Sequence, residues 1–239
     1  MDLHYLHRDA FFCLVEEGAI FLNARLGEYL ALENARLATI SCFIAGWPPA
    51  CMQDERSASA DAPSERLLAE LVRRGILTTS AAAGKAAEPV TLANRSARPS
   101  LSYRDSLPRL RLSLLLRFIL ALSRTTQALR RRHLLSLLRR IEAAKAGPRH
   151  RSAAEVKEGT WTLVRNFDRL RVWCYSAEGA CLRDSLVLAE FLLRCGAVPT
   201  LVIGVRSRPF AAHAWVQDGD VVLNDTLENV QRYTPILAV

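Results

Sequence analysis

The sequence predicts an α+β fold in two domains. Three observations carry that prediction. Short runs of strand-forming residues broken by glycine-containing turns fill residues 9–32. A stretch at 79–106 is rich in Ala, Ser and Pro and has no apolar period. A strongly apolar helical pattern at 181–195 is followed by three strand-like runs. At 239 residues the chain has room for one large domain or two small ones, and either can bury a core.

In the first domain, 10–16, 19–23 and 28–32 read as strands, with Gly18 and Gly27 in the gaps suiting tight hairpins. Asn34 suits the N-cap of a helix over 35–46, whose Leu37, Ile40 and Ile44 share a face, and Trp47-Pro48-Pro49 stops it. A second helix, capped by Asp61 or Ser64, runs through Arg74. Leu67, Leu68, Leu71 and Val72 form its apolar face, Arg73 and Arg74 complement its C-terminal dipole, and Gly75 follows. Ile76, Leu77 and Thr78 suit a short closing strand. Residues 1–80 are thus expected to form a winged-helix-like unit, a three-stranded sheet plus helices, with 81–106 as linker.

The second domain is expected over 107–239. Leucine spacing predicts two helices within 107–145, ended by Gly147-Pro148, and a third over 154–173. In the 181–195 helix only Arg183, Glu190 and Arg194 lie along one polar line, so it should be largely buried. Residues 200–205, 211–217 and 221–225 read as strands, with Asp218-Gly219 as the hairpin signal.

Charge and cysteine usage narrow the function. The net charge of +8 is uneven: 1–80 is net −4, whereas 104–151 holds 13 basic and 2 acidic residues. DNA recognition by the first domain is disfavoured, because it needs a basic footprint. The arginines of 104–151 suit a solvated helix face or a dock for an acidic partner. The cysteines (13, 42, 51, 174, 181 and 195) show neither CxxC nor zinc spacing, so no metal is expected and most should be packing residues. No run of 18 apolar residues occurs, since Arg117 interrupts the best one. The N-terminus, with Asp2, His4, His7, Arg8 and Asp9, is unlike a signal peptide. No membrane association and a cytoplasmic setting are expected.

Three side chains carry candidate chemistry. Cys181 opens the apolar helix, where the peptide dipoles favour thiolate. His213, in a strand, can lower the thiol pKa further and protonate a leaving amine. Asp225 follows in the next strand, and a carboxylate or amide there fixes the imidazole tautomer. Backbone N–H groups at the helix start can serve as an oxyanion hole. Register leaves one alternative open. A two-residue Asp218-Gly219 loop pairs His213 with Asn224, whereas a three-residue loop (218–220) or a bulge pairs it with Asp225.

The blocks Gly-Ala-Cys-Leu-Arg-Asp-Ser-Leu-Val-Leu (179–188), Val-Ile-Gly-Val-Arg (202–206), Pro-Phe-Ala-Ala-His-Ala-Trp-Val (209–216) and Leu-Asn-Asp (223–225) resemble the transglutaminase-like maturation protease of lasso-peptide biosynthesis. The resemblance spans about 105–239. It implies a transglutaminase/papain-like cysteine protease domain, with Cys181 as nucleophile, His213 as base and acid, and Asp225 as the orienting acid, hence the longer loop. More weakly, residues 1–80 resemble the PqqD-like leader-recognition domain of ribosomally made, modified peptides, which takes a leader as an added strand. That implies a receiving strand at 27–32, including Glu28, Tyr29 and Leu30, and a groove lined by Leu67, Leu71 and Arg74.

Together these resemblances imply a leader peptidase that binds a lasso precursor and cuts leader from core. The freed amine would pass to an asparagine-synthetase-like cyclase. No cofactor is expected, ATP acting only through that cyclase, since no Walker loop or GxGxxG occurs. The alternatives are a transglutaminase-like acyltransferase, without a calcium loop, and a non-catalytic scaffold for the cyclase.

Overall fold

The computed structural model of the chain describes residues 3–47, 62–92, 111–145, 153–174 and 180–239. They form two compact units: 1–91 with 205–211 and 234–237, and 92–204 with 212–233 and 238–239.

The first unit is built on an antiparallel meander of β2 (Ala10–Val15), β3 (Gly18–Asn23) and β4 (Glu28–Glu33). Alternation puts Phe12, Phe21 and Leu32 on one face, which packs on Leu37, Ile40, Leu68 and Leu71. Phe12 and Phe21 stack on Trp47 at 4.9 and 6.1 Å. A second small sheet sets β1 (Tyr5–His7) between β5 (Leu77–Thr78) and β6 (Gly84–Lys85). Helices α1 (Asn34–Ala38) and α2 (Ala62–Arg73) complete the unit.

Three expectations need correction here. The helix expected over 35–46 stops at Ala38 and gives way to a 3-10 turn at Ser41–Phe43. The backbone beyond it is recruited by His4, whose N–H donates to Phe43 O and whose carbonyl accepts from Ala45 N, both at 2.8 Å. Asn34 is the first helical residue rather than the cap, and its amide donates to Glu16 O at 2.9 Å. Residues 81–91, expected as linker, belong to this unit: Ala81–Ala83 forms a 3-10 turn, β6 pairs with β1, and buried Ala87 donates to Ala45 O. Backbone hydrogen bonds hold this segment, so no side-chain period announced it. Asp61, Pro48-Pro49, Cys51, Gly147-Pro148, Gly179 and the linker over 93–106 lie outside the described residues.

The second unit packs α3 (Leu112–Arg130), α4 (Leu134–Lys145) and α5 (Ala153–Val172) around α6 (Cys181–Arg194). Phe118, Phe167 and Phe191 meet at its centre with ring centroids 5.6–6.4 Å apart. Every α6 residue from Asp184 to Leu192 is buried. Its Glu190, fully buried, is paired by Arg140 at 3.1 Å and Arg194 at 3.8 Å, so part of the basic excess is spent inside the fold. The sheet runs β10-β7-β8-β9, with β7 (Thr200–Arg206), β8 (Ala211–Asp218), β9 (Val221–Val222) and β10 (Thr234–Ala238). The short helix α7 (Leu227–Val230) links the last two.

Among the described residues α3 alone is long and apolar enough to cross a membrane, by length and composition only. Its Phe118, Ala121 and Thr125 are buried in this unit, while Leu112, Leu116, Ile119 and Leu120 form an exposed apolar stripe.

Candidate active site

Cys181 is the first residue of α6. No side chain caps that end, and Asp184 N–H is the first to find a carbonyl within the helix, that of Ala180 at 2.9 Å. The N–H groups of residues 181–183 therefore stand at the positive end of the helix dipole. The buried Asp184 is held by Arg171 of α5 at 2.9 Å, which fixes the first turn of α6.

The β8–β9 turn follows neither anticipated register. Asp218 pairs with Val221 and Gln217 with Val222, so the turn residues are Gly219, at φ +61°, and Asp220. Regular pairing continued in this register would turn Asp225 away from His213. Instead the ladder ends. Leu223 N–H donates to Val216 O at 2.8 Å, but Val216 N–H donates to the side-chain oxygen of Asn224, also at 2.8 Å. With that amide standing in for a backbone carbonyl, the chain leaves the sheet and delivers the Asp225 carboxylate to His213 Nε2. The longer loop is thus overturned, Asp225 is the residue that meets the imidazole, and Asn224 braces the sheet.

While Nε2 meets Asp225, His213 also hydrogen-bonds the Cys181 thiol. The hydrogen bond with His213 lowers the Cys181 pKa; burial opposes this, and the Ala214 and Leu182 N–H groups reinforce it. Burial disfavours the His213 imidazolium, but Asp225 and Cys181 outweigh it and raise the pKa to about 9. Burial also works against the Asp225 carboxylate, and hydrogen bonds from His213, Thr226 N–H and Asn229 overcome it, leaving its pKa lowered. Cys13 behaves oppositely to Cys181: burial pushes its thiol up to about 12. Burial likewise raises Cys195.

Asn229, Thr226 and Tyr233, which sequence reading missed, shape the site together with Trp215. Asn229 on α7 donates to Asp225 Oδ2 at 2.9 Å, and the Thr226 hydroxyl caps that helix by accepting from Asn229 N–H. Tyr233 lies 5.0 Å from the His213 ring by centroid, and Trp215 lies 6.1 Å from it on the same strand. Trp215 is fully buried, and its indole N–H donates to Gln217 Oε1 at 3.1 Å. A four-residue helix has no readable period, so the only signal for Asn229 was its place four residues after Asp225. Among the described residues no group of His, Cys, Asp or Glu has the arrangement of a metal site.

The candidate leader-binding residues lie in the first unit. Glu28 is exposed, and Tyr29 and Leu30 are half-buried on β4, which is an edge strand. Tyr29 packs edge-on against Phe210 at 5.5 Å. Arg74 is exposed and pairs with Glu70 at 2.9 Å. Leu67 and Leu71 are core residues, packed on the inner face of the meander, and so do not line an open groove. A cavity of about 350 Å³ opens instead on the opposite face of the meander, where Val15, Ile20, Tyr29, Ala31, Arg208 and Phe210 line it.

The second unit's geometry is that of thiol acyl chemistry: a thiol at a helix start, an imidazole beside it, and a carboxylate behind the imidazole. A family model described as the transglutaminase-like superfamily matches residues 119–238, a span that holds all of these groups. No curated protein matches the chain, and no solved structure does.

Proposed function

The chain belongs to the transglutaminase-like superfamily, whose activity is of the cysteine-protease or acyltransferase type and whose domains need no cofactor, and from that premise we propose that it is a leader peptidase of lasso-peptide biosynthesis. The observation that carries the reading is the alignment of Cys181, His213 and Asp225, in which Cys181 has a lowered thiol pKa and Cys13 and Cys195 have raised ones.

In this reading the Cys181 thiolate attacks the carbonyl carbon of the leader–core peptide bond. The N–H groups at the start of α6 receive the developing oxyanion. His213 gives its proton to the departing amine, which frees the core N-terminus and leaves the leader as a thioester on Cys181. His213 then takes a proton from water, which attacks the thioester and releases the leader acid. Asp225 keeps the ring oriented and supports its charge throughout.

The edge strand β4, with Glu28, Tyr29 and Leu30, supports capture of the leader as an added strand, with Arg74 nearby on the chain after α2. The exposed leucine stripe of α3, on a helix without acidic residues, supports docking of an asparagine-synthetase-like cyclase, through which ATP would act. A cytoplasmic setting goes with this reading.

Incubating the precursor peptide with the full chain and with Cys181→Ala tests it. Two fragments whose masses sum to the precursor plus one water, absent with the variant while leader affinity is kept, are expected. Loss of ammonia from an intact precursor would instead assign acyl transfer to an amine, and cleavage by the variant would remove Cys181 from the chemistry.

A further inference from the structure

Residues 214, 216 and 218 turn their backbone groups toward the β9 side of β8. Asp218 and Val216 meet β9 there, but at Ala214 the strand has already left. The vacated positions are taken by α6. Ala214 N–H points to Cys181 Sγ, and Ala214 O accepts the Ser185 hydroxyl at 2.8 Å. Cys181 and Ser185 are one helical turn apart on the same face, so one peptide segment of β8 is clamped at two points along α6. Asn224 closes the arrangement: its amide donates to Ser185 Oγ at 2.9 Å, while its oxygen accepts from Val216 N–H.

We propose that Ser185 and Asn224 are positioning residues, which dock Ala214 on α6 so that the neighbouring His213 ring stands beside the Cys181 thiol. The inference rests on the reading of Cys181 and His213 as nucleophile and proton carrier. Packing does not require the hydroxyl, because Ala fills nearly the same volume at this fully buried position. The hydroxyl is required because it serves two partners at once, the buried Ala214 carbonyl and the half-buried Asn224 amide. Without it Ala214 loses its second anchor, the one on its carbonyl, and the neighbouring ring its alignment.

The rate of iodoacetamide alkylation at Cys181, followed against pH in the full chain by peptide mapping, reads this alignment. The intact protein is expected to react at pH values below the ordinary thiol range. In Ser185→Ala and Asn224→Ala that acid limb should move up by about one pH unit, slowing alkylation there about tenfold. Ser185→Thr keeps a hydroxyl and should hold the limb in place. Asn166→Ala, which deletes a buried amide of α5 that donates to Thr162 O, should lower stability without moving the limb.

An unmoved limb in folded Ser185→Ala or Asn224→Ala overturns the proposal, as does an equal movement in Asn166→Ala. If Ser185→Ala does not fold, Asn224→Ala and Ser185→Thr decide. A wild-type chain without the low-pH limb would overturn the thiol reading itself, a result distinct from failure of the positioning pair.

Discussion

Asn229 donates its amide to the Asp225 carboxylate oxygen that also holds the His213 ring, at 2.9 Å. The orienting carboxylate is thus oriented in its turn, by a side chain on a four-residue helix that Thr226 caps.

Asn229→Ala is therefore expected to slow precursor cleavage about 3- to 10-fold. That corresponds to about 1 kcal/mol, somewhat below the ~1.5–3 kcal/mol usual for a hydrogen bond to a charged group because the site is partly exposed. Asn229→Asp should cost more, because it sets a second carboxylate beside Asp225. Cleavage rates at saturating precursor check both, and an unchanged rate in Asn229→Asp would contradict the relationship.

The pH dependence follows from His213, whose folded pKa is raised from 6.5 to about 9. A raised cationic group stabilises the fold fully below its unfolded pKa. The contribution of His213 is therefore complete below 6.5 and is lost as pH climbs through about 9. Cleavage, which needs the imidazolium as acid, should fall over the same alkaline limb. Asp225→Asn removes the negative partner and should draw that limb to lower pH. A pH–rate profile of both proteins checks this, and coincident alkaline limbs would count against the pairing.

Gly204 sits where no side chain fits. A Cβ there would lie 2.8 Å from the Trp215 ring and 2.9 Å from Tyr233 Cβ, the two residues that flank His213. Gly204→Ala should destabilise the second unit by about 1–3 kcal/mol through overpacking. It should also slow cleavage by shifting those rings. Urea unfolding measures the first effect, and a loss under about 0.5 kcal/mol would mean the site yields easily.

The α3 stripe is expected to behave as surface. Replacing Leu116 and Leu120, 54% and 55% exposed, by Glu should leave unfolding free energy within about 0.5 kcal/mol of wild type. If the proposed function holds, the same pair should weaken capture of an asparagine-synthetase-like cyclase. A large stability loss would show the stripe to be internal packing.

Side-chain pattern made some of these features legible, and backbone substitution hid others. The helix read at 181–195 is α6, Cys181–Arg194, because burial on nearly every side leaves an unmistakable apolar run. The strands of the meander were readable from alternation and from Gly18 and Gly27. The meeting of Asp225 with His213 was not derivable from register, because the side chain of Asn224 occupies a ladder position and breaks the period-two rule at the decisive residue. Residues 81–91 were opaque for a related reason: Ala and Gly carry no period, and their hold on β1 and Ala45 runs through backbone atoms. Leu67 and Leu71 show a further limit, since an apolar stripe does not say whether its neighbour is a core or a groove.

Sequence separation gives the site an order of assembly. His213, Asp225 and Asn229 lie within one short stretch of chain, so closing the turn at Gly219 and winding α7 can bring them together early. Cys181 lies a helix and a strand earlier, and joins only when α6 docks on β8. In a refolding chain the Cys181 thiol therefore gains its His213 partner only once α6 meets β8. Alkylation pulses during refolding should find Cys181 acquiring its reactivity only as α6 docks on β8, after the turn at Gly219 has closed, so that the thiol is armed late in assembly.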